Sequence, residues 1–210
     1  MRIGVIGAGN VGGALGCRWA RSGHEVVFGV RDAAALEVRE LVARIGPPTR
    51  AGTVAEAAAF GPVVVLAVPW NAAENVLRTA GDLAGKTLLD CTNPLTADSS
   101  ALAVGHTTSG AEQIARWAPQ AQVVKIFNTT GFDNMLEPGY AEGAATMFCC
   151  GDDAEPKAVA TRLAAELGFD PVDAGPLSQA RLLEPLGLLW ISLAYRQRLG
   201  RNIAFRLVRR

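Results

Sequence analysis

The chain has 210 residues, 50% hydrophobic and 19% charged, a composition that supports a folded core and excludes disorder as the main state. Its 20 Lys and Arg balance 20 Asp and Glu, so no global field recruits nucleic acid or an anionic membrane, and any ligand must be held locally. The longest nearly uncharged apolar stretch, residues 185–195, is shorter than the roughly 20 residues a bilayer requires. No signal-peptide pattern follows Met1, and Cys17, Cys91, Cys149 and Cys150 have neither zinc nor disulfide spacing. The expectation is a cytoplasmic protein with no metal site.

In chain order, residues 3–6, 25–30, 62–68, 87–90 and 123–127 are short apolar runs of the buried parallel-strand type. Between them, residues 10–22, 33–45, 54–60, 71–79 and 110–117 have helical patterning. Asp32 is placed to cap the second helix, Ser109 with Glu112 makes a capping box, and Gly23 ends the first helix. This alternation predicts an α/β protein with an open, doubly wound sheet. Further on, a strand at 146–150, a helix at 155–167 with Pro156 in its first turn and Gly168 at its stop, and a strand at 171–174 extend that sheet. Residues 177–210 are helical in pattern but interrupted at Pro185. They carry Leu182, Leu183, Leu186, Leu188, Leu189, Trp190 and Ile191, an apolar surface that needs either the chain's own sheet or a second copy in a homodimer.

Gly7-Ala8-Gly9-Asn10-Val11-Gly12 fits G-x-G-x-x-G directly after a predicted strand and at the opening of a predicted helix. There Gly7 makes the tight turn, Gly9 admits a pyrophosphate and Gly12 lets helix approach strand, so phosphates meet free N–H groups at the helix N-terminus. The second strand ends where NAD proteins place a carboxylate for the ribose; here Val30 and Arg31 hold the place. A guanidinium gives bidentate contact to a 2′-phosphate, which favours NADP. A strand one residue longer would instead make Asp32 the ribose acceptor and favour NAD. The segments 66–70, with Val68 and Pro69, and 90–94, with Asn93, end strands at the carboxyl edge and flank the nicotinamide ribose.

Lys125 and Asn128 have the K-x-x-N spacing of hydroxy-acid dehydrogenases, but on a strand the two point to opposite faces unless the strand breaks between them. Neither Tyr140 nor Tyr195 has a lysine four residues on. No general acid, nucleophile or metal is evident, so the catalytic set is empty. Hydride passage between two flat rings needs positioning more than proton delivery, which makes another redox cofactor the expected partner.

The chain resembles the NADPH-dependent coenzyme F420 reductases. The resemblance rests on the glycine loop, Gly23-His24-Glu25-Val26-Val27 leading to Arg31, Val68-Pro69-Trp70, Val123-Val124-Lys125 leading to Asn128-Thr129, Cys150-Gly151-Asp152-Asp153, and Asp173-Ala174-Gly175-Pro176-Leu177-Ser178. It implies a Rossmann domain, here residues 1–175, and a small helical C-terminal domain, residues 176–210, with a deazaflavin in the cleft between them. It further implies that Ala8, Gly9, Asn10 and Val11 wrap the pyrophosphate and that Val30 and Arg31 face the 2′-phosphate. Val68, Pro69 and Asn93 would then border the nicotinamide, and Asn128 and Thr129 the acceptor. Val30 and Ala35 stand where the family commonly has a serine and a further basic residue, which weakens the NADP preference. Phe127-Asn128-Thr129 is similar to the NADPH domain of membrane metalloreductases, which hands hydride to a flavin.

The leading expectation is therefore an oxidoreductase moving hydride between NADP(H) and a deazaflavin or flavin. The alternatives are an imine or pyrroline-carboxylate reductase, for which the stretch after Ala174 is short, and a regulatory protein that senses NADP without turnover. Arg196, Arg198, Arg201 and Arg206 either attract an anionic coenzyme tail or form a solvated helix face.

Overall fold

A computed structural model describes residues 1–210. The strands β1 (Arg2–Ile6), β2 (Glu25–Gly29), β3 (Arg50–Gly52), β4 (Val63–Leu66), β5 (Thr87–Asp90) and β6 (Gln122–Lys125) lie side by side in the order β3-β2-β1-β4-β5-β6. All these pairs are parallel. The order reverses between β1 and β4, the topological switch point where such sheets open a crevice at their carboxyl ends.

Between the strands run α1 (Asn10–Arg21), α2 (Leu36–Ile45), α3 (Val54–Phe60), α4 (Trp70–Thr79) and α5 (Gly110–Trp117). Next come α6 (Phe132–Leu136), a two-stranded hairpin of β7 (Gly139–Tyr140) and β8 (Gly143–Ala144), then β9 (Thr146–Gly151), α7 (Ala154–Leu167), β10 (Asp170–Asp173) and α8 (Ala180–Ile191). β9 joins β6 antiparallel and β10 joins β9 parallel, completing eight strands. One face of the sheet buries Leu15 and Trp19 of α1 with Phe28, Ile126 and Leu163; the other buries Leu66, Leu77, Leu88, Ile114 and Leu183. Each such side chain contributes about 1.5–3 kcal/mol on leaving water. A sheet covered on both faces is the doubly wound arrangement.

Several boundaries differ from the sequence reading, each for a local reason. Asp32 does not cap α2: its Oδ1 accepts from Ala34 N–H at 2.8 Å, the turn so formed delays the helix to Leu36, and Ala35 occupies the N-cap. β6 stops at Lys125, and Phe127 takes φ 61°, so the strand breaks between Lys125 and Asn128. Pro185 sits inside α8 without ending it. It removes the donor to the Arg181 carbonyl, a cost offset by the face that α8 buries through Leu183, Glu184, Gly187 and Trp190. Helical backbone continues as a π turn over Ser192–Arg196, but residues 197–210 are not helical. They run back over the chain, where Ile203 O accepts from Trp190 Nε1 and Asn134 Nδ2, both at 2.7 Å, and Phe205 O accepts from Thr146 N–H at 2.9 Å. β3, α6 and the hairpin were not anticipated; two to five residues carry too little periodicity to register.

Candidate functional site

β1 delivers the chain into Gly7, whose φ of 104° only glycine adopts freely and whose N–H donates to Gly29 O at 2.9 Å. A Cβ at Gly7 would collide with Ala67 O, and one at Gly12 with Gly7 O, so both glycines are demanded by close packing. Gly9 is different. A Cβ there meets nothing within 4 Å, so the space over the start of α1 is open. No side chain caps α1 and no acid stands in its first turn. In contrast, Thr53 Oγ1 accepts from Glu56 N–H at 3.1 Å at the head of α3, with Glu56 returning a bond, and Ser109 Oγ accepts from Glu112 N–H at 3.2 Å at the head of α5. The N–H groups of Asn10 and Val11 thus face an open, glycine-floored cradle of the kind that takes a pyrophosphate.

At the end of β2, Val30 is half-buried, its N–H bonded to Gly52 O at 3.0 Å, and Arg31 is exposed. None of the seven ion pairs of the chain includes Arg31. Asp32 is also exposed and is tied into its turn by Ala34. At the end of β4, half-buried Val68 borders Gly7, its Cγ1 lying 3.2 Å from where a Gly7 Cβ would stand. Pro69 follows as the N-cap of α4. The loops after β5 and β6 meet through paired carboxamides: Asn93 Nδ2 donates to Asn128 O at 2.9 Å, and Asn128 Nδ2 donates to Asn93 Oδ1 at 3.0 Å. Asn128 Nδ2 also donates to Leu183 O of α8 at 2.9 Å, and Thr129 is buried beside it. Gly7, Gly9, Val68 and Asn93 thus follow strands along one carboxyl edge, with Arg31 at its β2 end and Asn128 and Thr129 at its β6 end.

Beneath this edge lies a charge network that sequence reading missed. Asp90 and Lys125 are register partners at the ends of β5 and β6. Lys125 Nζ donates to Asp90 Oδ2 at 2.7 Å and Thr92 O at 2.6 Å, and lies 3.0 Å from Glu184 Oε1. All three charged side chains are at most 1% exposed. Glu184 also accepts from Gly110 N–H at 2.8 Å and Ala111 N–H at 3.0 Å, the first donors of α5. Asp90 Oδ1 accepts from Thr92 N–H and Oγ1 at 2.9 and 2.7 Å. The surplus negative charge is met by the positive end of α5. Burial opposes the charge on Lys125, but Asp90 and Glu184 together outweigh it and raise its pKa above the usual lysine value. Its three N–H bonds each have an acceptor, so Lys125 is a tether. Opposite charges closing adjacent apolar strands were the available signal.

Burial pushes the thiols of Cys149 and Cys150 up to about 12 and that of Cys91 up as well, so none is a thiolate at neutral pH. A separate cavity of about 580 Å³ lies beside α6 and the β7–β8 hairpin, lined by Asp133, Glu137, Tyr140 and Asn202 among others, and includes no predicted site residue.

The pattern of the family described as NADP oxidoreductase, coenzyme F420-dependent, matches residues 2–94, from β1 to the Asn93 loop. The F420-dependent NADP reductase of Methanothermobacter thermautotrophicus (strain Delta H) is 32% identical over 99% of this chain and 94% of its own length. The chain belongs to the F420-dependent NADP reductase family. It is accordingly an NADP-dependent oxidoreductase, with NADP and coenzyme F420 as the family's substrates. A crystal structure from Arthrobacter sp. FB24, provisionally assigned as an F420-dependent NADP reductase, superposes with a TM-score of 0.90 at 33% identity and covers 99% of each chain. The rat metalloreductase STEAP3 is 32% identical over 90% of this chain, which spans 37% of that longer protein.

Proposed function

We propose that this enzyme passes hydride directly between NADP(H) and a flat deazaflavin, coenzyme F420, or a flavin, held against the loops after β5 and β6. The observation that carries the reading is the uncapped head of α1 beneath the open cradle at Gly9, since a cradle built of backbone N–H groups fits a dinucleotide pyrophosphate. Ala8, Gly9, Asn10 and Val11 hold that pyrophosphate. Val30 and Arg31 take the 2′-phosphate, and Arg31 has no acid of its own to leave. Val68, Pro69 and Asn93 border the nicotinamide and keep water from it, while Asn128 and Thr129 line the acceptor side. When bound, NADPH supplies the hydride from its nicotinamide ring. No side chain acts as acid or base, because Lys125 is fully engaged and the buried thiols stay protonated.

NADPH oxidation assayed with coenzyme F420, FMN, FAD and a cyclic imine, beside NADH controls, tests the reading. Turnover with F420 or a flavin is expected. Turnover with the imine alone rejects it, and tight NADPH binding without oxidation of any kind points to a sensing role. Arg31→Ala should weaken NADPH binding by about 1–3 kcal/mol, the range for a charged hydrogen-bonding partner, and leave NADH nearly unchanged. Fluorescence titration reads both; equal losses for the two cofactors mean that Arg31 does not contact the phosphate.

The second face of α8 supports a homodimer: Leu182 is 66% and Leu189 48% exposed, in line with half-buried Leu186 and Leu193. A stripe of this kind buries against a copy of itself in an isologous contact. Leu182→Glu with Leu189→Glu should convert a dimer to a monomer in sedimentation; a wild-type monomer at high concentration rules the dimer out.

A further inference from the structure

We propose that Glu184 and Gly187 of α8 are positioning residues that fix the Asn93–Asn128 carboxamide pair in register with the bound rings. This rests on the reading that Asn93 borders the nicotinamide and Asn128 the acceptor.

Within little more than one helical turn, α8 meets the two loops in three ways. Leu183 O accepts from Asn128 Nδ2 at 2.9 Å. Glu184 reaches through to Lys125 at 3.0 Å and to two N–H groups at the head of α5, which ties the helix to the ends of β6 and α5 at once. Gly187 lays bare backbone against the pair itself: a Cβ there would stand 2.7 Å from Asn128 O, 2.8 Å from Asn93 Oδ1 and 3.2 Å from Asn93 Nδ2. Real Cβ atoms do not approach backbone and amide atoms that closely, so even a methyl group must displace the pair or the helix. None of the hydrogen bonds to these atoms comes from the glycine loop or Arg31. The same fold thus separates holding the dinucleotide, done by α1 and the end of β2, from aligning its ring with an acceptor, done through α8. Asn128 Nδ2 bonds both Asn93 Oδ1 and Leu183 O, and Asn93 Nδ2 bonds the Asn128 backbone carbonyl, so the two carboxamides are tied to each other and to α8, while buried Asn128 Oδ1 has no partner.

A glutamine at position 184 keeps the size of the side chain but loses the arrangement. One of its two terminal atoms is an N–H donor: in place of Oε2 it faces Gly110 N–H, and in place of Oε1 it faces both the Lys125 ammonium and Ala111 N–H, so one or two of the three bonds are replaced by donor–donor contacts.

The test compares wild type with Gly187→Ala and Glu184→Gln in three measurements: the dissociation constant of NADPH, the emission of bound NADPH, and the single-turnover rate of hydride transfer to coenzyme F420. The transfer is measured with both protiated and C4-deuterated NADPH, in a single turnover and at steady state. Misplacement by about an ångström lowers reaction rates by up to about a hundredfold. Both variants should therefore bind NADPH within about threefold of wild type and transfer hydride between about ten- and a hundredfold more slowly. Their steady-state deuterium isotope effect should be larger and the emission of bound NADPH altered. Should Gly187→Ala not fold, Glu184→Gln carries the same comparison. A lower melting temperature with unchanged transfer rate and isotope effect overturns the proposal, as does an NADPH affinity that falls in step with the rate. If wild type reduces no F420 or flavin, the proposed reaction fails by itself. The emission then decides: altered at unchanged affinity it upholds the positioning role, and unaltered it overturns it.

Discussion

Gly9→Val should abolish NADPH binding while leaving the protein folded. The residue lies in extended conformation at φ −75° and ψ −162°, which a side chain can occupy, and its Cβ would meet no atom of the protein within 4 Å. Replacing an N-cap glycine by an apolar residue costs about 1 kcal/mol of stability. The new isopropyl group, however, fills the space in which a pyrophosphate must approach the N–H groups of Asn10 and Val11. Loss of those charge-assisted bonds should exceed about 3 kcal/mol, more than a hundredfold in affinity. Fluorescence titration with NADPH beside a thermal melt separates the two effects. Gly12→Val is the informative contrast, because its Cβ collides with Gly7 O and the melting temperature itself should fall. A Gly9→Val protein that still binds NADPH tightly would place the dinucleotide somewhere else.

The elements most legible in the sequence were those governed by local chemistry. Val54–Phe60 and Gly110–Trp117 were bounded correctly because the pattern changes sharply at a glycine, a cap or a tryptophan, and Gly168 stops α7 in the left-handed conformation expected of it. Where the reading failed, a non-local contact or a competing turn decided. Asp32 could equally cap a helix or close a turn, and sequence does not say which nearby N–H it will take. Pro185 is a helix breaker by propensity, but the burial of Leu183, Glu184 and Trp190 on one face overrides it. The tail over 197–210 is held by carbonyls of Ile203 and Phe205 that meet side chain and backbone far away, a relation with no period to detect.

The geometry of the glycine loop and of the end of β2 is equally legible, since G-x-G-x-x-G and the residues after β2 are consecutive in the chain. The geometry around Asn128 is not. As a catalytic K-x-x-N pair, Lys125 and Asn128 are discounted by a strand running to residue 127, which points them to opposite faces, and only the resemblance keeps Asn128 for the acceptor side. The strand breaks after Lys125, and both side chains reach the loop after β5: Lys125 bonds Thr92 O and Asn128 bonds Asn93. Their shared destination depends on Phe127 at φ 61°, a conformation that no pattern of residue types announces for a phenylalanine.

The largest loss of stability should come from Lys125→Met. Methionine conserves volume and the apolar stem but leaves the Asp90 and Glu184 carboxylates, each at most 1% exposed, without the ammonium they share. Removing one partner of a buried ion pair costs about 3–5 kcal/mol. A domain of ordinary stability has about 5–15 kcal/mol in all, so the variant should unfold at a markedly lower urea concentration or accumulate poorly. Adding Asp90→Asn should recover part of the loss, because a neutral amide is cheaper to bury than an unpaired carboxylate, and the non-additivity of the two changes measures their coupling. The wild-type dependence on pH has a definite sign. The folded-state pKa of Lys125 is raised, so its contribution is fully present below the unfolded lysine value near 10.4 and is lost as pH climbs through the higher folded value. Urea midpoints should therefore show this loss above about pH 10.4 in wild type and lack it in Lys125→Met. A midpoint shift equivalent to less than about 1 kcal/mol on mutation, the range of exposed pairs, would mean that water reaches the network in solution and that it does not anchor the loops beside the site.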